Sequence, residues 1–457
     1  MDAKARSVDL IVFDDVLPSQ FSPFRTIEYA HYLWFFDAAV VATEGWESGN
    51  FERDVAMFPT SDDARGRFLR YSQMKGLAGK LAYVTFLHNA FDLLTVFENA
   101  GLPFILQLYP GGGFAPGQEQ SDEMLKAVAG SKLCRAIIAT QTVTVNHLEA
   151  LGVAPSKVNF IYGGVFNDQN GFDFDADKRC YPISKPTLDL CFVAHKYGDD
   201  VRSKGYDYFV AMAAILGPRF SNLRFHVVGG YDRADIALGE VNDRFTFYGI
   251  QPSRFFAEFY PRMDAVVSFN RPSILAPGAF DGFPTGSCIE AGLAGVLNII
   301  NDPLGLNSGF LDGDDFVLLD DDLDASVERV ADLLADPARL YDLARRNWAA
   351  FHHVFDTDRQ LWERCRILSR ELSHSTRLAF VPPAERSKLD NGDLSWQRRR
   401  LSELDGENKA LHSHVHDLEI HIGNLEAHIQ ELRLWPGQRL WRMGRRFATR
   451  LLKGALR

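Results

Sequence analysis

The chain has 457 residues, a formal net charge of −11, 46% hydrophobic and 24% charged residues, a balance that excludes a disordered chain and allows two to three domains. Its five cysteines, Cys134, Cys180, Cys191, Cys288 and Cys365, are scattered and odd in number, which excludes a disulfide framework and a zinc site of paired spacing. No apolar run approaches the roughly 20 residues that span a bilayer, Met1 to Arg6 shows no signal-peptide pattern, and a cytoplasmic protein is expected.

The first elements are short apolar runs, Val8–Phe13, Ala38–Ala42, Leu81–Leu87, Pro103–Leu108 and Ala136–Ala139, separated by helical stretches. That alternation predicts a parallel α/β sheet over residues 1–166. Asp15 and Arg25 follow the first strand and would line a cleft, while His88 ends a strand-like run. Tyr109 with Gly111, Gly112 and Gly113 follows another strand, where a triple Gly lets backbone approach a ligand or simply turns. Residues 167–187, rich in Asp, Asn, Gly and Pro, read as a linker.

A second series, Leu188–Val193, Leu223–Val228, Phe245–Tyr248, Ala265–Phe269 and Val296–Ile300, predicts another α/β domain over 188–372. Two such domains would face each other across a cleft, and ligands of these sheets bind outside the carboxyl ends of the strands. Lys196, Arg202 and Lys204 follow the first strand of this series and are placed to neutralise a diphosphate. At the same edge, Phe280-Asp281-Gly282-Phe283-Pro284-Thr285-Gly286-Ser287 leads into a small-residue helix. A Gly-rich turn at a helix start offers free amides and the positive end of the dipole to a phosphate. Asp281 and Glu290 bracket it, and carboxylates there suit hydroxyls of a ribose or sugar. The competing interpretation is an ordinary βα turn capped by Thr285 or Ser287. Asp320-Asp321-Asp322 reads as a solvated turn, with no metal expected.

Residues 373–393 form a spacer, and a strict heptad follows over 394–434. Leu404, Leu411, Leu418, Leu425 and Leu432 recur at d, with Leu401, Asn408, Val415, Ile422 and Ile429 at a. This pattern predicts a parallel two-stranded coiled coil, hence a homodimer. His414 and His421 at g face Glu419 and Glu426 at e of the partner helix, so the zipper is expected to tighten as pH falls. Residues 435–457 read as a basic amphipathic helix, with Leu440, Phe447 and Leu451 near one face and arginines around the rest. Such a helix suits an anionic membrane surface; the charge distribution argues against nucleic acid as a partner of the body.

Lys204-Gly205, Phe225-His226-Val227-Val228-Gly229-Gly230, Tyr248-Gly249, Met263-Asp264 and the Asp281–Glu290 turn resemble the donor domain of family-4 glycosyltransferases of the GT-B fold. The Phe160–Val165 run resembles that family's strand before the linker. The resemblance spans roughly residues 8–370 and is strongest from 188 to 310. It departs in having Asp281 where the family has a first Glu, one residue further from Glu290, and His195-Lys196 where an Arg is usual.

The resemblance implies two Rossmann-like domains, with the last helix able to return to the first. Glu290 would hold the ribose, and Asp281 the transferred sugar or the turn's own amides. Lys204 would bind the diphosphate, with Lys196 or Arg202 as second cation. Gly229, Gly230, Gly282, Phe283, Thr285, Gly286 and Ser287 would complete the donor seat. The first domain, through Asp15, Arg25, Tyr109 and Gly111–Gly113, would face the acceptor, with His88 as an acid/base or sugar contact. The implied reaction moves a sugar from a UDP- or GDP-sugar to a glycan acceptor, with retention and without cofactor or metal. From the tail, the acceptor is expected to be a lipid-linked glycan or surface polysaccharide at the inner face of the membrane. A non-catalytic sugar-nucleotide-binding scaffold and a sugar-nucleotide epimerase of the same fold remain open alternatives.

Overall fold

A computed structural model describes residues 6–15, 23–43, 51–58, 60–71, 74, 76–167, 172–375 and 378–380. The expected coiled coil at 394–434, the basic tail at 435–457 and most of the spacer lie outside the described residues. Among the described residues no helix is long and apolar enough to cross a membrane.

The first sheet contains β1 (Arg6–Asp14), β2 (Ala38–Ala42), β3 (Phe68–Arg70), β4 (Leu77–Thr85), β5 (Phe104–Leu108), β6 (Cys134–Ala139) and β7 (Val158–Phe160). Their order is β3-β2-β1-β4-β5-β6-β7, all parallel. The second contains β8 (Leu188–Val193), β9 (Leu223–Val228), β10 (Phe245–Phe247), β11 (Ala265–Ser268), β12 (Leu297–Ile300) and β13 (Val317–Leu318), in the order β10-β9-β8-β11-β12-β13. Both are doubly wound, with the direction of strand addition reversing between β1 and β4 in one and between β8 and β11 in the other. Helices cover both faces, so the central strands of the first sheet are buried with little alternation, as in β5, where all five residues are buried, Gln107 among them.

β4 begins earlier than the apolar run suggests and stops at Thr85, because Phe86 takes φ 75° and Leu87 opens a helix. Ala379–Phe380 (β14), in the segment read as a spacer, pairs antiparallel with β4 through Ala379–Gly79 and Phe380–Ala78. Residues 172–187, read as a linker, are pinned to the second domain. Lys178 is buried and donates to the Met263 carbonyl, and Lys185 Nζ lies 2.7 Å from carboxylate oxygens of both Asp189 and Asp264.

Two long helices tie the domains together. Pro337–Val354 packs on the second sheet, where Asn347 Oδ1 accepts from the Asn298 amide at 2.9 Å. Thr357–His374 returns to the first domain, where Cys365, Ile367 and Leu368 join the core of Leu10, Val12, Tyr83 and Ile105. Arg364 on this helix is fully buried, donates to Gln360 Oε1 at 2.8 Å and lies 3.7 Å from Glu28 Oε1. An apolar cluster joins Tyr162 and Phe166 to Phe283, Phe310 and Phe355, so both sheets share packing at their junction.

Candidate donor site at the second switch point

The loops after β8 and β11 flank the strand-order reversal of the second sheet, the place where ligands of doubly wound sheets bind. Gly205 sets the first loop: its φ is +78°, and a Cβ there would lie 2.2 Å from the Phe269 carbonyl oxygen. No L-residue fits that approach without moving backbone. This fixes Lys204, whose ammonium lies 2.5 and 2.7 Å from the two carboxylate oxygens of Asp281, on the loop after β11. Tyr197 places its ring 5.4 Å from the same ammonium. Lys204 and Asp281 therefore meet across the switch point.

The helix Gly286–Leu293 starts next to this pair. Thr285 occupies its N-cap with extended φ −67° and ψ 161°, but its side chain caps nothing and lies 3.3 Å from Ser287 Oγ. The first-turn amides thus keep their donor capacity. Glu290, in the middle of this helix, is only partly accessible to solvent, and no described residue hydrogen-bonds its carboxylate. Loss of hydration pushes that carboxyl up to about 8. A carboxylate so placed is stabilised by any ligand that brings hydroxyl donors.

The remaining expected donor residues are distributed around this centre. Phe283 is buried and Gly282 lines the same cleft pocket as Asp281, Ser268, Asn270 and Asp302. Gly229 and Gly230 follow β9, beside the Ala194 carbonyl and the Lys196 side chain. Lys196 is engaged by Asp235 at 2.5 Å, and the side chain of Arg202 is exposed at the rim. Asp322 accepts from the Asp324 and Ala325 amides as the N-cap of Leu323–Ala335. Among the described residues no group of three His, Cys, Asp or Glu side chains is arranged to hold a metal.

The first domain mirrors this arrangement. Asp15 after β1 and His88 after β4 meet across its own switch point, with Nε2 2.8 Å from Asp15 Oδ2. Asn89 donates to Asp15 Oδ1 at 3.1 Å. Burial opposes both charges. The hydrogen bond and attraction between the two outweigh it, holding Asp15 at about 2 and raising His88 above its ordinary value. Gly112 packs under Phe86, whose ring would lie 2.3 Å from a Cβ there, so the glycine serves this contact; Gly113 abuts His88 and Gly111 is open. Arg25 is buried, with its guanidinium 4.4 Å from the Phe86 ring centre and Nε 3.2 Å from Asp14. Tyr109 is also buried and turns its hydroxyl inward to Glu28, at 3.4 Å.

Gln141, which the sequence reading did not single out, joins the two halves. It follows β6 at the start of Thr142–Ala150, is 3% exposed, and leaves that helix uncapped. Its Oε1 instead accepts from the Phe283 amide at 3.3 Å, and its Nε2 lies 2.9 Å from where a Gly282 Cβ would sit. Phe114 and Phe280 meet edge-on at 6.0 Å beside it. Its position at the carboxyl edge of a strand was the one available signal.

No protein-family model matches the chain, and no curated protein matches it in sequence. Solved structures do match in fold. Anabaena HepE in complex with UDP-glucose superimposes with a TM-score of 0.59 at 13% identity, covering 79% of this chain and 100% of HepE. Sucrose-phosphate synthase from Thermosynechococcus elongatus gives 0.56 at 13% identity, covering 81% and 100%. A Rickettsia africae glycosyltransferase gives 0.55 at 12% identity, covering 82% and 100%. The two parallel-sheet domains therefore form a fold shared with GT-B glycosyltransferases.

Proposed function

We propose that this protein is a nucleotide-sugar-dependent glycosyltransferase of the retaining, metal-independent kind, with the donor seated at Lys204, Asp281 and the Gly286–Glu290 turn. The carrying observation is the Glu290 carboxylate, desolvated and unpaired beside an uncapped helix start. The ribose hydroxyls donate to Glu290, and the first-turn amides receive the diphosphate. In transfer, a bond forms from the acceptor hydroxyl oxygen to the anomeric carbon as the bond from that carbon to the diphosphate breaks. The electron pair leaves on the diphosphate, where Lys204 and the helix dipole stabilise it, and the departing diphosphate oxygen takes the acceptor's hydroxyl proton.

Asp281 holds Lys204 until the donor arrives and then turns to the sugar. His88 is a positioning residue that binds the Gly111–Gly113 loop to Asp15 on the acceptor side. In this reading the acceptor is a lipid-linked or surface glycan, the heptad makes a homodimer, and the basic tail holds the enzyme at an anionic membrane. The relatives crystallised with UDP or UDP-glucose support a uridine donor. The test is release of nucleoside diphosphate from a panel of sugar nucleotides. Wild type turns over one of them, and Glu290→Ala loses that turnover with its fold retained; full activity in the variant contradicts the site.

A further inference from the structure

We propose that the second domain carries a separate binding site for an acidic oligosaccharide, in the groove between β9, β10 and the helix Ser253–Phe259. The groove encloses about 960 Å³, within the range of pockets that hold small molecules. Asp189, near the start of β8, and Met263, just ahead of β11, line it. Tyr248, Gln251 and Pro252, which follow β10, line it as well, so the groove runs along the sheet from the amino ends of β8 and β11 to the loop after β10. It shares no lining residue with the cleft pocket that contains Asp281.

Its floor is a hydrogen-bonded chain. Asp189 Oδ1 lies 2.8 Å from His226 Nε2, and His226 Nδ1 lies 2.9 Å from the Tyr248 hydroxyl. Asp189 is fixed from behind by Thr187 Oγ1 at 2.8 Å and Lys185 Nζ at 2.7 Å. Burial alone would raise this carboxyl, but the bonds to His226 and Lys185 win and hold it at about 2. The ionised Asp189 can only accept, so His226 donates to it through Nε2–H and shares its second ring nitrogen with the Tyr248 hydroxyl. Whichever way that bond runs, the Tyr248 oxygen keeps a lone pair for a hydroxyl in the groove. Phe255 packs against Tyr248 at 5.4 Å, giving an aromatic wall for the C–H face of a sugar ring.

The rim is cationic. Arg179, Arg254 and Arg262 line the groove, have exposed side chains, and make no side-chain hydrogen bond or ion pair with any described residue. Most other arginines of the second domain have such partners, as Arg219 does in Glu328 and Arg345 in Asp175. Among the described residues that line the groove the acids are Glu258 at the rim and Asp189 at the floor, the latter already paired with His226 and Lys185. Guanidinium groups bind carboxylates through paired N–H donors. A ligand carrying both hydroxyls and carboxylates uses both halves of the groove, and a sugar acid carries both. The site does not depend on the donor assignment.

Calorimetric titration of the full chain with tetragalacturonic acid, and with cellotetraose as a neutral chain of equal length, tests it. The acidic tetramer is expected to bind and the neutral one to bind at least about tenfold more weakly. Arg254→Ala/Arg262→Ala should cost the acidic tetramer at least about tenfold, and Tyr248→Phe should weaken it by roughly three- to tenfold. The double arginine variant should keep the wild-type thermal midpoint, Tyr248→Phe should lower it only by the loss of one hydrogen bond, and both should keep the nucleotide response, since these residues lie outside the donor turn. Equal binding of the two tetramers, no binding of the acidic one, or undiminished affinity in the double arginine variant would overturn the proposal. Failure of wild type to respond to any sugar nucleotide would count against the donor site and leave this result standing.

Discussion

Lys204 and Asp281 close the second switch point with a two-point ion pair, the ammonium 2.5 and 2.7 Å from the two carboxylate oxygens. In the proposed donor seat this pair holds the Lys204 ammonium in place before a ligand arrives, and an incoming diphosphate would compete with Asp281 for it. Lys204→Ala is expected to weaken nucleoside diphosphate binding by roughly ten- to hundredfold, the scale of a charge-assisted hydrogen bond. Binding of the unphosphorylated nucleoside should hardly change. Asp281→Asn should bind the diphosphate more tightly while transferring sugar more slowly. Titration calorimetry reads both variants, and equal losses of nucleoside and diphosphate binding in Lys204→Ala would remove Lys204 from the phosphate.

Glu290 makes stability depend on pH. Its folded carboxyl is pushed from 4.5 up to about 8, so between those values the folded protein binds a proton that the unfolded chain has released. Stability from this group therefore falls as pH rises through that window and is level above it. Glu290→Gln escapes the loss. Urea unfolding at pH 5 and pH 9 should show the variant gaining on wild type at the higher pH, together with lost transfer. A stability difference independent of pH would show that Glu290 is not desolvated.

Asp15 and His88 offer a second titration. The folded pKa of His88 is raised, so its stabilisation is full below the ordinary value of 6.5 and is lost as pH rises through the folded value. Asp15→Asn removes the charge that does most to oppose burial, leaving only the Gly112 backbone bond and Asp92 against it, and should lower the His88 pKa. Proton NMR of the imidazole across pH 5–9 reads the shift directly, and an unchanged curve in the variant would break the pairing.

Gly205→Ala places a Cβ 2.2 Å from the Phe269 carbonyl at φ +78°. It should cost about 1–3 kcal/mol of stability and weaken diphosphate binding through a displaced Lys204. Gly101→Ala, also at positive φ but with nothing within 4 Å, is the control for backbone strain alone. Equal losses in both would show that the Phe269 contact is not what matters.

Gln141 predicts coupling between the domains. Gln141→Ala leaves the Phe283 amide without its acceptor and frees the Gly282 turn. Donor KM should rise several-fold while the thermal midpoint moves little, because the lost bond is worth about 1 kcal/mol. A normal donor KM would reduce Gln141 to a packing contact.

The strands with strong apolar runs were legible: Ala38–Ala42 and Leu188–Val193 lie where the sequence places them. β3, β7 and β13 have three, three and two residues, too few to carry a periodic signal. Phe86 ended β4 through a backbone conformation that its side chain does not announce. Lys204 and Asp281 were legible as residues of one sheet edge because the two loops that carry them flank the switch point. Their pairing was not, since it depends on Gly205 seating against Phe269, a contact between residues far apart in the chain. Asp235 and Gln141 escaped for the same reason, each being defined by a partner on another element.

A thermal-shift series with UDP, GDP, ADP and dTDP sugars, run on wild type and Glu290→Ala, tests donor binding most directly. A ligand that binds the native state raises stability by RT ln(1 + [L]/Kd), about 2.7 kcal/mol at a hundredfold excess over Kd. Wild type should show a concentration-dependent rise with one nucleotide class, and Glu290→Ala should show little or none. No rise with any of them, or an equal rise in the variant, would contradict a donor seat at Glu290.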